Sequence, residues 1–303
     1  MISVFMVGSF WLNHRSDYIN MSLLNPEEEP YRPQFEIPIK DGTVTVELQT
    51  DKAFMSISHK FTCSEEDFNL MKDQIILHKK EQMESAGRKL LSTIKYGLNL
   101  SLLDDNIVSR NGSFKFEYTT DYNHWDTVNN TTKTIRSHTH YFLNSMENQV
   151  RTYLKNDFEP FIALKHLHRA KNDDDARFKW IDATIAAELA IKEFFVRKHP
   201  MLKTMLLELP SPPLKKLYKN LLLVYAGEES PLPSRFFDDA SRIRNELVHR
   251  PQDVLITIEQ AEEYVAGVEK AIYHLLSLLY PEDSTIQGIY RSTNLRSINF
   301  DDL

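Results

Sequence analysis

Between Asp173 and Pro281 the chain repeats one arrangement: an apolar stretch at three- and four-residue spacing, opened by a cap or proline and closed by glycine or proline. That pattern restricts the segment to a bundle of helices. A 3.6-residue period buries one stripe of each helix, and each stop turns the chain back on itself. Asp173, Asp174 and Asp175 supply caps and negative charge at a helix start, and Phe178, Ile181, Ile185, Leu189, Lys192 and Phe195 then continue to Pro200. Pro212 and Pro213 open the next helix and Gly227 closes it. A third runs from Ser234 to His249, ahead of Pro251. Thr257 with Gln260 fits a capping box for a fourth, which carries Tyr264, Val268, Ile272, Leu275, Leu276 and Leu279 to Pro281. Residues 283–303 show no period and are expected to form a tail or a partner-bound arm.

The first 140 residues read differently. Phe35 to Ile39, an Asp41-Gly42 turn, Thr43 to Leu48 and Ala53 to Ile57 predict three antiparallel strands. Ser64 followed by Asp67 marks a helix start, and Phe68, Met71, Ile75, Leu90, Leu91 and Ile94 extend that helix to Gly97 across the sheet. A second hairpin is expected at Asn111-Gly112, leading into Ser113 to Tyr118. Thr119 to Ser137 is polar and reads as a loop between the halves. The fold class is therefore α+β: an N-terminal mixed domain with antiparallel strands over 1–140, a C-terminal all-α bundle over 141–282, and the tail.

Several function classes find no support. The lone cysteine, Cys63, has no partner for a disulfide or zinc knuckle, so a reducing, cytoplasmic setting is expected. The apolar opening, Met1 to Leu12, has no basic residue ahead of it and is too short to span a bilayer; a buried strand is expected, and no membrane partner. With eight glycines and no glycine-rich phosphate loop, nucleotide-hydrolase and dinucleotide folds are disfavoured. No serine nucleophile elbow is present. Net charge is −7, yet residues 151–250 carry 18 Lys and Arg against 14 Asp and Glu, a local balance compatible with a nucleic-acid partner. His138 and His140 alternate as strand ligands would, but no carboxylate or cysteine accompanies them, and loop polarity is the better account. His166 and His168 lie too far round a helix to share a metal. No cofactor or metal is expected.

The chemistry concentrates in Ser241 to Arg250. Asn245 and His249 stand four residues apart, on one helix face, with Arg244 at the neighbouring position. Leu247 and Val248 are expected to face inward and hold that edge rigid. Imidazole moves protons near neutral pH, guanidinium matches phosphate oxygens, and the Asn245 amide orients a ring or binds a substrate oxygen.

Arg-Asn-x-x-x-His at 244–249 resembles the Arg-polar-x-His signature of HEPN domains, helical bundles found in RNA-cutting toxins, phage-defence proteins and CRISPR-associated nucleases. Asp182 to Phe194 is similar to the first long helix of that bundle, and the resemblance spans residues 158–282. It implies metal-independent RNA cleavage in which the ribose 2′-hydroxyl attacks the adjacent phosphate. His249 then moves a proton, Arg244 stabilises phosphoryl charge and Asn245 holds the site together. It also implies a homodimer whose two motifs line one cleft, and a restraining or triggering partner such as an antitoxin or a phage-derived component. Glu188 and Lys192, also four residues apart, are candidates for secondary polar groups at that cleft, with a surface ion pair as the plainer account.

Two other readings stay open. One is an ordinary solvated helix edge, with Arg242 to Glu246 and Glu246 to Arg250 as spaced ion pairs. The other keeps the bundle without catalysis, as a nucleotide-binding, dimerisation or interaction module.

Overall fold

The computed structural model describes residues 1–11, 32–49, 54–101, 103, 114–121, 125–131, 144–208, 212–250 and 254–295. It is α+β and divides into two compact units, Met1–Phe158 and Glu159–Leu303.

The first unit holds a six-stranded antiparallel sheet of β1 (Ile2–Trp11), β2 (Gln34–Ile39), β3 (Gly42–Gln49), β4 (Phe54–Cys63), β5 (Phe114–Thr119) and β6 (Asp126–Thr131), in the order β2-β3-β4-β1-β5-β6. Alternation explains the register. Phe35, Ile37, Val44, Val46, Met55 and Ile57 point to one face and are buried. The β2–β3 turn places Gly42 at φ +132°, which glycine reaches without strain. Against that face lies α1 (Glu65–Gly97), whose start is capped by the Ser64 hydroxyl accepting from the Asp67 amide at 2.9 Å.

Two expectations change here. Part of the polar stretch 119–137 is the edge strand β6, anchored where Asp126 accepts from the Tyr118 hydroxyl at 2.7 Å and from Lys72 at 3.3 Å. An edge strand tolerates polar residues because one of its rims faces water. The first unit also extends past 140 to include α2 (Asn144–Lys155). Val150 enters the sheet core, the Arg151 guanidinium donates to the Gln34 carbonyl and lies 4.9 Å from the Phe35 ring centroid, and the Tyr153 ring closes on Gly97. The Asn111-Gly112 turn and His138 and His140 fall outside the described residues.

The second unit contains α3 (Ala163–Asn172), α4 (Ala176–Lys198), α5 (Lys203–Glu208), α6 (Leu214–Lys216), a π-helical turn at Leu217–Leu221, α7 (Leu222–Ala226), α8 (Ser234–His249), α9 (Ile258–Leu279) and α10 (Ser284–Asn294). Local signals set the boundaries. Asp175 caps α4 through the Arg177 amide, Gly227 ends α7 at φ +71°, and Thr257 with Gln260 forms a capping box on α9. α4 is the hub. Its row of Ala183, Ala186, Ala187 and Ala190 is fully buried, as is Ala271 of α9, and small side chains let helices approach closely.

Residues 284–294 are a docked helix and not a tail. Asp283 accepts from the Thr285 and Ile286 amides at 3.0 Å, Ile286 is buried, and the Gln287 amide donates to the Ser277 and Tyr280 carbonyls at the end of α9. Those carbonyls are orphaned at any helix C-terminus, so α10 packs while capping.

Candidate functional site

α8 is seated by its N-terminal two turns. Phe236, Phe237 and Ala240 are buried; the Phe237 ring stacks on Tyr218 at 4.2 Å and Phe236 meets Tyr264 at 5.1 Å. The indole of Trp180 stacks on Tyr264 at 4.0 Å and donates to the Ala240 carbonyl at 3.4 Å. Burial pushes the Tyr218 and Tyr264 phenols well above their ordinary range, so both stay neutral, donating to the Ala187 carbonyl and pairing with the Thr184 hydroxyl.

These contacts fix helix directions. Phe237 reaches Tyr218, which bonds Ala187, while Ala240 bonds Trp180, so α8 runs antiparallel to α4. Thr184 pairs with Tyr264 and Arg197 with the Tyr280 hydroxyl, so α9 runs parallel to α4. The C-terminal end of α8 therefore lies at the same end of the unit as the starts of α4 and α9.

Arg244, Asn245 and His249 sit at that end. Only Leu247 is buried among their neighbours. Val248, expected to face inward, is 47% exposed, because a step of about 100° from Leu247 carries it off the buried stripe. Asn245 and His249 are exposed and Arg244 is half-buried. On helix geometry alone Arg244 is about 140° round from His249. A hydrogen bond closes part of that gap: Arg244 Nη1 donates to Asn245 Oδ1 at 3.1 Å, drawing the guanidinium toward the face that Asn245 shares with His249. Arg242, by contrast, is occupied by Asp239 at 3.3 Å and Glu246 at 3.4 Å. Arg244 has no carboxylate partner, and His249 no hydrogen-bond partner, among the described residues.

Glu188 and Lys192 pair with each other at 2.7 Å. They lie elsewhere on the unit. Ala187 is level with Phe237, and Phe237 is twelve residues, or about 18 Å of helix, before His249.

A second polar group escaped sequence reasoning. Asp182 of α4 is buried and accepts from Arg169 and from His166 Nδ1, at 3.2 Å, both on α3. The Arg169 and His166 hydrogen bonds hold the Asp182 carboxyl below the usual carboxylate range although burial opposes them. The spacing of His166 and Arg169 marks a common face, but the partner is on another helix, which no local pattern reveals. Among the described residues no three His, Cys, Asp or Glu side chains converge as a metal site requires. No described helix is long and apolar enough to cross a membrane. Comparison with family models, with characterised proteins and with solved structures finds no match for the chain.

Proposed function

We propose that the chain is a HEPN-type endoribonuclease that cuts RNA without a metal, and that Arg244, Asn245 and His249 carry the reaction. The observation that supports this most is the contrast between two arginines two residues apart on one helix. Arg242 is neutralised by two carboxylates, as a solvated helix face predicts, whereas among the described residues Arg244, turned onto Asn245, has no carboxylate partner and His249 has no hydrogen-bond partner. An anion is the natural complement to that edge.

In the reaction, His249 accepts the proton of a ribose 2′-hydroxyl, the 2′-oxygen bonds to the adjacent phosphorus, and the bond to the 5′-oxygen breaks. A proton returns to that oxygen. The products are a 2′,3′-cyclic phosphate and a 5′-hydroxyl. Arg244 offsets charge on the pentacovalent phosphate, and the Asn245 carbonyl holds the guanidinium in place.

One convex edge supplies one imidazole and does not exclude water, so the active species is a homodimer in which two such edges face each other. Phe178 (58% exposed), Val248 and Leu255 (96% exposed) lie at the same end of the unit and provide apolar contact for that pairing.

The test compares Arg244→Ala with Arg242→Ala on a fluorescent RNA, with thermal melting as fold control. Losing one transition-state group costs about 100-fold or more, so Arg244→Ala and His249→Ala lose at least that while Arg242→Ala stays near wild type. Equal losses in both arginine variants assign the edge to general electrostatics and overturn the reading.

A further inference from the structure

The His166, Arg169 and Asp182 group lies apart from α8. Trp180 faces α8, and Asp182 is about 200° further round α4, so α3 and α8 occupy opposite sides of that helix. Asp173, Asp174 and Asp175 stand at the start of α4 and disfavour a single polyanion running across both sides.

The group itself is built from the inside out. Asp182 is 5% exposed, and its two oxygens are spent on Arg169 Nε, Arg169 Nη2 and His166 Nδ1. An uncompensated buried carboxylate is costly, so these bonds hold both basic side chains in one orientation. Each then presents its other edge outward. The Arg169 side chain is 63% exposed with Nη1 unspent, and the His166 ring has Nε2 remaining. Lys165 is exposed and has no ion-pair partner among the described residues. Lys165, His166 and Arg169 fall within an arc of about 100° on α3, a helix without an acidic residue. Asp173 is the other carboxylate whose charge acts on Arg169.

We propose that Lys165, His166 and Arg169, oriented from beneath by Asp182, form a binding site for the phosphate group of a small ligand such as a nucleotide. A simple α3–α4 staple needs Arg169 and Asp182 alone. The second, orienting bond to His166 and the free lysine on the same arc are the features of an anion cradle: preorganised donors with the orienting acid behind them. This site is independent of the RNA-cleavage reading and stands or falls separately from it.

The experiment is titration of the full chain with inorganic phosphate and, separately, adenosine monophosphate at about pH 6, where imidazoles take up protons. Histidine ring NMR signals are followed, with His166 assigned by its loss in His166→Gln. The expected result is a saturable movement of the His166 signal that sodium chloride at matched ionic strength does not produce. Lys165→Ala, which leaves the Asp182 bonds intact, weakens it about tenfold with unchanged melting. Tighter binding of adenosine monophosphate than of phosphate identifies a nucleotide ligand; equal binding identifies the bare phosphate group. A His166 signal that stays still, or moves alike with chloride and in Lys165→Ala, reduces the group to a staple and overturns the proposal.

Discussion

Gly267 tests how α8 is held. It lies inside α9, where alanine normally stabilises a helix by about 1 kcal/mol because glycine has more freedom to lose. A Cβ at this position, however, meets Phe236 Cε2 and Cζ at 2.7 Å. Favourable carbon contacts need about 3.5–4.0 Å, so the ring must move. It has nowhere to go: Phe236 is buried, with Phe237 perpendicular to it at 5.2 Å and Tyr264 at 5.1 Å. Overpacking a core costs about 1–3 kcal/mol, and a ring closed in on two sides belongs at the upper end. Gly267→Ala is thus expected to destabilise by about 2 kcal/mol net, or about 4–8 °C in melting temperature for a unit of this size. Gly288, within α10, meets nothing within 4 Å, so Gly288→Ala should instead stabilise by up to about 1 kcal/mol. Phe236→Leu should recover most of the loss in the Gly267→Ala background. The assay is urea and thermal unfolding of the wild type and these three variants. If Gly267→Ala stabilises as Gly288→Ala does, or Phe236→Leu brings no recovery, α8 does not rest on α9 as described.

Three further outcomes follow from particular contacts. Thr257→Ala removes the half of the capping box in which the Thr257 hydroxyl accepts from the Gln260 amide at 3.2 Å, leaving the Thr257 amide on the Gln260 side chain at 3.0 Å, and should cost about 1 kcal/mol in urea unfolding; an unchanged midpoint would show that the hydroxyl cap is idle. A chain ending at Phe158 should keep its sheet, whereas one ending at 140 should lose cooperative unfolding, because it lacks Val150 and Tyr153, whose burial is worth about 1.5–3 kcal/mol each; identical behaviour would move the boundary back. Burial holds the His59 and His274 imidazoles below their ordinary range. Below the unfolded value of about 6.5 the unfolded chain then takes up protons the folded chain refuses, so stability should fall as pH drops through that value. His59→Gln with His274→Gln should flatten the decline, and an unaltered slope in the double variant would remove these two as its source.

Features closed within four residues were legible in the sequence: the Ser64 and Asp175 caps, the Thr257 capping box, and the Arg242–Glu246 pair across one turn. Features that depend on a distant partner were not. α2 carries an amphipathic stripe that suits a bundle or a sheet equally, and only the presence of Gly97 and Phe35 decides for the sheet. β6 is polar because it is an edge, and α10 is a helix because α9 offers it orphan carbonyls. At the site, the common face of Asn245 and His249 follows from spacing. The turn of Arg244 toward Asn245, the exposure of Val248 and the distance of Glu188 and Lys192 from His249 do not.

The most direct measurement is the chemistry of the RNA ends. RNA incubated with the purified chain in excess EDTA should be cut, leaving 2′,3′-cyclic phosphates and 5′-hydroxyls, and His249→Ala should leave it intact. Termini carrying a 5′-phosphate and a 3′-hydroxyl, or cutting that stops with the chelator and returns with magnesium, would contradict 2′-hydroxyl attack assisted by Arg244 and His249.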